Sequence, residues 1–274
     1  MEVDFLTTIV QLMAGAFIGA CIGMTGIGGG VLILPVLTIW FGLPPSVAVG
    51  TAHFYSFLCK LPAVFFHFRQ GTIRFLISAY FLMGAIPMNV IVAIYLTGYA
   101  ETINPTSQEW LKFQEALRIF IAAIVILSGG FLLWHVIFKQ KNNPIKGDKN
   151  SIPITGNKIT IVILLGGIIG GLIAATSVGS GILIVPLLII ILGLAAVDTV
   201  GSSIFIALLL TSTSSIIYAG SNQLDLTTAI TMAAGSFLGV PIGVRMSKKI
   251  PEHFLQITII TLVLAAGLFM LVDV

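Results

Sequence analysis

Charge is scarce in this chain. Ten acidic and thirteen basic side chains are spread over 274 residues, 8% of the total, where a soluble domain carries about 25%. That is too few to clothe a water-soluble globule, which excludes a soluble enzyme, a nucleic-acid binder and a disordered chain. Cysteine is scarcer still. Cys21 and Cys59 lie in apolar runs and give neither a disulfide framework nor the spacing of a metal site. Met1-Glu2-Val3-Asp4 lacks the basic start of a cleaved signal peptide, so the first apolar run is expected to be a retained helix. No Walker motif is present, which excludes a self-contained ATP-driven pump, and no cofactor is implied. Paired intramembrane acids, a histidine–carboxylate motif and a serine–histidine arrangement are missing too, so an intramembrane enzyme ranks last.

What is abundant is apolar length. Hydrophobic residues make up 57% of the chain. Runs of the roughly 20 residues needed to span a bilayer lie near 5–23, 46–68, 75–97, 113–138, 159–176, 196–219, 227–246 and 254–272. Two shorter stretches, 29–42 and 180–193, would each be about 21 Å long as helices, too short to cross comfortably. Both follow glycine-rich breaks. The expected architecture is an all-α integral membrane protein with about eight full spans and two short helical elements, re-entrant or tilted, in a lipid bilayer.

Ten of the thirteen bases fall in three places: near Arg69 and Arg74, across 139–158, and at Arg245-Lys248-Lys249. The loops at 98–109 and 219–226 carry acids and no base. The positive-inside rule makes the basic segments cytoplasmic and puts both termini outside. Trp40, Tyr99, Trp110 and Trp134 fall near segment ends as interfacial anchors.

The chain also repeats itself. Residue n matches residue n+151 at 18 of the 44 positions from 15 to 58. Gly15 falls on Gly166, Gly19 on Gly170, Thr25 on Thr176, Gly28 on Gly179, Gly30 on Gly181, Pro35 on Pro186, Gly42 on Gly193 and Gly50 on Gly201. This divides the chain into a first transmembrane repeat, 1–138, a cytoplasmic linker, 139–158, and a second repeat, 159–274. The charge bias gives the two copies opposite orientation. Inverted repeats with interrupted helices are the architecture of secondary transporters.

Here the residues resemble a known family. Gly26-Ile27-Gly28-Gly29-Gly30-Val31-Leu32-Ile33-Leu34-Pro35, Gly50-Thr51 and the turn at Gly71 are similar to the first signature of the sulfite exporter TauE/SafE family, also called TSUP permeases. Gly179-Ser180-Gly181, Pro186, Gly201-Ser202 and Gly235 to Gly243 resemble its second half, with Ser180 replacing the glycine found at Gly29. The resemblance implies a transporter of sulfite, sulfonates or related small organosulfur anions, commonly an exporter in a bacterial inner membrane. An anion channel using the same glycine-lined site is the alternative.

Candidate site residues follow from backbone and charge. Glycine runs free backbone groups that survive in lipid only inside protein or around a polar cavity. Gly28, Gly29 and Gly30, and opposite them Gly179, Ser180 and Gly181, with Thr25, Thr176 and Ser177 beside them, are candidate anion contacts at helix N-termini. Pro35, Pro62 and Pro186 are read as structural breaks. His53, Lys60 and His67 are spaced by seven and share one helical face. Lys60 lies mid-helix with no deep carboxylate to answer it, so an anion is its natural partner. Snorkelling, or bonding to carbonyls freed by Pro62, is the bland reading. Its repeat mate is Thr211, in the run Thr211 to Ser215. His53 is a candidate either for a coupling proton or for helix packing.

Reporter fusions at Asn150 and after Val274 are expected to lie on opposite sides of the membrane. Signals from one side would remove the opposed orientation of the two copies.

Overall fold

The computed structural model describes residues 5–25, 30–139, 156–178, 181, 183–194, 196–247, 260–261, 264–265 and 267–271. The described part is helical, in the order α1 (Phe5–Thr25), α2 (Gly30–Pro35), a π-helical turn (Val36–Trp40), α3 (Pro45–Arg69), α4 (Phe75–Thr102), α5 (Gln108–Lys139), α6 (Gly156–Thr176), α7 (Ile184–Leu192), α8 (Ala196–Gly220) and α9 (Leu226–Ser247). Six of these, α1, α3, α4, α6, α8 and α9, are long and apolar enough to cross a membrane. The long helix α5 carries Glu109, Lys112, Glu115 and Arg118 in its first half. Most of the apolar run at 254–272 and the centre of the 139–158 linker lie outside the described residues.

Local sequence explains the boundaries. Pro45 starts α3, where its missing N–H costs nothing. Gly71, at φ +66°, turns the chain out of α3. Gly193, at φ +61°, caps α7 by donating its N–H to Ile189 O at 2.9 Å. Two of the three prolines read as breaks do not interrupt a helix. Helix α3 runs through Pro62 to Arg69, and Pro186 sits in the first turn of α7. A proline in a first turn removes only an N–H that has no helical partner anyway. Pro35 lies where α2 widens into the π turn.

The elements recur at the offset seen in sequence. Phe5 and Thr25 bound α1, and Gly156 and Thr176, each 151 residues on, bound α6; Pro45–Arg69 and Ala196–Gly220 keep the same offset. The turns agree atom for atom. Thr72 N–H bonds His67 O, and Gln223 N–H bonds Tyr218 O. Leu43 N–H bonds Leu37 O, and Leu194 N–H bonds Leu188 O.

Helix pairing is exchanged between the copies. Helix α1 packs on α9, with Gly15 against Met232 and Gly19 against Ser236, so the two run parallel. Helix α6 packs on α4, with Gly166 against Phe81 and Gly170 against Ala85, again parallel. Helices α3 and α8 pack on each other antiparallel, and their two ends are reciprocal. Arg74 N–H donates to Ser202 Oγ at 2.9 Å, and Asp225 N–H donates to Thr51 Oγ1 at 3.0 Å. Residues 74 and 225, and 51 and 202, are repeat mates. Gly50 abuts Gln223, and its mate Gly201 abuts Thr72.

Small residues let these backbones approach, as membrane helices without a hydrophobic driving force require. Outward faces present Phe5, Met13, Phe17, Met83, Ile91 and Phe237, all exposed. A Cβ on Gly235 would fall 2.9 Å from Ala16 N and against the Leu12 carbonyl. Gly235→Leu is therefore expected to destabilise the protein by about 1–3 kcal/mol, the usual cost of overpacking, whereas Gly98→Ala, inside α4 with nothing within 4 Å of its new Cβ, should hold or slightly raise the unfolding temperature, since alanine favours a helix interior. Thermal unfolding in detergent checks both.

Candidate functional site

The end of α6 organises the site. In a regular helix the Val178 amide would bond Ala174 O. Here Val178 N–H bonds Thr176 Oγ1 at 3.2 Å, and Ser177 adopts φ +53°. The Ala174 carbonyl is released into a fully buried place, where an unmet acceptor costs about 1–3 kcal/mol. Two side chains answer it. His53 Nε2 from α3 lies 3.2 Å away, and the Tyr218 hydroxyl from α8 donates at 3.1 Å. The two rings sit with centroids 5.7 Å apart. Both residues are sealed from solvent.

Along α3 a polar stripe continues from His53 through Ser56 to Lys60, at spacings that keep one helical face. All three are buried. Lys60 Nζ reaches Ser56 O at 3.4 Å, a long bond for an ammonium. An ion pair lies elsewhere, between Arg74 and Asp198 at 2.6 Å. Three buried polar atoms along this region have no hydrogen-bond partner among the described residues: His53 Nδ1, Ser56 Oγ and Ser177 Oγ. Buried polar atoms are nearly always satisfied, so these three stand out, and Lys60 has no acidic partner among the described residues.

Two hydrogen-bond chains flank the stripe. Ser236 Oγ donates to Gly15 O at 2.7 Å, which leaves the Tyr55 hydroxyl to donate to Ser236. This ties α3 to α9 and α1. Ser214 Oγ donates to Asn89 Oδ1 at 2.9 Å, and Asn89 Nδ2 donates to Gly170 O at 3.2 Å, tying α8 to α4 and α6.

The sequence-predicted residues separate into groups. His53, Lys60, Thr176 and Ser177 come together around the α6 break or along the stripe that leads to it. Thr211 is buried but bonds Ala207 O of its own helix at 2.7 Å. His67, on the same face as Lys60, is spent on Thr72 Oγ1 at 2.9 Å. Thr25 closes α1, Gly30 opens α2, and Gly181 lies in the turn before α7. Gly28, Gly29, Gly179 and Ser180 lie outside the described residues. Ser56, Tyr218, Asn89 and Ser236 were not among the sequence candidates. Ser56, three residues after His53 and four before Lys60, was visible on the same face by helical period.

Apolar helices and a buried polar seam of this kind define a multi-pass membrane protein. Residues 11–270 match the family described as Sulfite exporter TauE/SafE. The probable membrane transporter protein YjnA of Bacillus subtilis is 30% identical over 94% of this chain and 97% of its own length. A probable membrane transporter protein of Methanocaldococcus jannaschii is 28% identical over 99% of this chain and 98% of its own. No solved structure matches. The chain belongs to the sulfite exporter TauE/SafE family and is a membrane transporter.

Removing the Tyr218 hydroxyl leaves Ala174 O with one donor. Tyr218→Phe is expected to lower stability by about 1 kcal/mol, the net worth of a typical hydrogen bond, read from thermal unfolding. No change would mean that His53 alone satisfies the carbonyl.

Proposed function

We propose that the chain is a secondary transporter that exports sulfite, a sulfonate or a related small organosulfur anion across the plasma membrane by alternating access. The observation that carries this reading is Lys60. Its ammonium is buried on α3, has a long contact to one carbonyl and lies beside open polar atoms. A buried lone cation costs several kcal/mol unless an anion answers it. On this reading the anion sits between Lys60, His53 and Ser56 on α3 and the break at Thr176 and Ser177, completed by the glycine clusters 28–30 and 179–181. The antiparallel α3 and α8, with their reciprocal end contacts, support two inverted-topology repeats, 1–138 and 159–274, joined by a cytoplasmic linker. Such repeats hold substrate at their interface and expose it alternately. The family described as Sulfite exporter TauE/SafE supports the anion class.

The test is anion affinity of purified wild type and Lys60→Gln in matched detergent, titrated with sulfite, thiosulfate, sulfoacetate and sulfate. Lys60→Gln should bind the preferred anion about tenfold or more weakly, a loss of about 1.4 kcal/mol or more, with its unfolding temperature retained. Lys60→Arg should keep part of the affinity, since the charge survives while the donor geometry changes. Equal affinity in Lys60→Gln would overturn the assignment.

A further inference from the structure

The hydrogen bond at Ala174 fixes more than the position of His53. A carbonyl oxygen only accepts, so the His53 nitrogen facing it, Nε2, carries a hydrogen. The neutral ring then presents Nδ1 as a bare acceptor. That acceptor is sealed inside the protein and has no donor among the described residues. The neighbouring donors are committed elsewhere. The Tyr218 hydroxyl bonds Ala174 O, the Tyr55 hydroxyl bonds Ser236, and the Lys60 ammonium leans on Ser56 O. Nδ1 therefore lacks a donor on the same helical face as Ser56 and Lys60, the face of the candidate anion site.

We propose that the anion is bound together with one proton, held between His53 Nδ1 and the anion. This rests on the anion reading of the Lys60 site. Electrostatics favour the pairing. Seven residues of helix separate His53 from Lys60, about 10 Å. Protonating Nδ1 alone would place a second cation in a poorly screened interior near Lys60. A bound anion reverses that repulsion and draws the proton in. By linkage the proton strengthens anion binding by the same factor. Among the described residues the other titratable groups near His53 are few. Helix α3 contributes Tyr55, Cys59 and Lys60, α8 contributes Tyr218, and α1 contributes Cys21. Helix α5 meets α3 at Ser46 through Gln114 and carries Glu115 and Arg118 beside that contact. Where α6 and α9 approach, they bring Ser177 and Ser236 and no acid or base.

The experiment is titration calorimetry of the full chain in two buffers of different ionisation enthalpy, which counts protons taken up on binding. The probes are methanesulfonate, which brings no proton, and sulfite, which is partly protonated near neutral pH. Wild type is expected to take up a proton with at least one of them. Uptake with methanesulfonate places the proton on the ring. Uptake with sulfite alone places it on the anion, with Nδ1 accepting from its O–H. In His53→Gln, whose amide can still donate to Ala174 O, uptake with either probe should vanish while some anion binding remains. No uptake in wild type that binds anion, or equal uptake in His53→Gln, would overturn the inference and leave the transport reading standing. No binding of any anion by wild type would overturn both.

A second readout keeps His53 in place. With His67, His135 and His253 changed to Gln, nitrogen-15 NMR reports His53 alone. The ring should carry its hydrogen on Nε2 without anion, and Nδ1 should respond on adding methanesulfonate or sulfite. A hydrogen on Nδ1 in the anion-free protein would overturn the inference.

Discussion

A carbonyl released from its helix cannot turn to solvent in the middle of a membrane, and much of this structure follows from how such carbonyls are answered. Ala174 O is freed because Thr176 takes the Val178 amide. It is met by a histidine from one helix and a tyrosine from another. The break in α6 therefore gathers α3 and α8 around it. Gly15 O and Gly170 O have their own visitors, Ser236 and Asn89, each extended by a further hydroxyl from α3 or α8. Polar groups here act as cross-links between helices. Each is worth about 1 kcal/mol in a membrane, and together they set which helices are tied to one another.

Two clusters result. One holds α1, α9 and α3, the other α6, α4 and α8, and they meet along the antiparallel seam of α3 and α8. Each cluster takes helices from both halves of the chain, so neither half folds around its own core. The parallel contacts are built on glycine, with Gly15, Gly19, Gly235, Gly239 and Gly243 at one and Gly84, Gly166 and Gly170 at the other. The seam between the clusters is where the polar stripe of α3 lies.

The helices and the repeat were legible because both are written in local pattern. Apolar length marks spans, and an offset of 151 residues carries through to matching turns. The shared face of His53 and Lys60 was legible from helical period. The partners were not. Tyr218 lies 44 residues from Ala174, and Ser236 lies 221 from Gly15. No periodicity encodes which distant helix will present a hydroxyl to a given carbonyl. The prolines misled for a related reason. Proline removes one donor, but α3 at Pro62 keeps its course, since a membrane helix can absorb a missing bond through its neighbours.

The boundaries of α1 and α3 match those of α6 and α8 at the 151-residue offset, and the chemistry does not match. The pair that answers Ala174, His53 and Tyr218, has Ile204 and His67 as repeat mates. Lys60 has Thr211. The ammonium and the imidazole on α3 thus have no charged counterpart at the matching positions of α8. The seam shows the same asymmetry at its ends. Both carry the amide-to-hydroxyl bond, but one adds the Arg74–Asp198 ion pair, whose mates are Asp225 and Val47. Arg74 is nearly half exposed, so that pair is worth at most about 1 kcal/mol. The two ends of the seam are therefore alike in their backbone contacts and unequal in charge, because a matched offset fixes where the chain turns and not which side chains stand there.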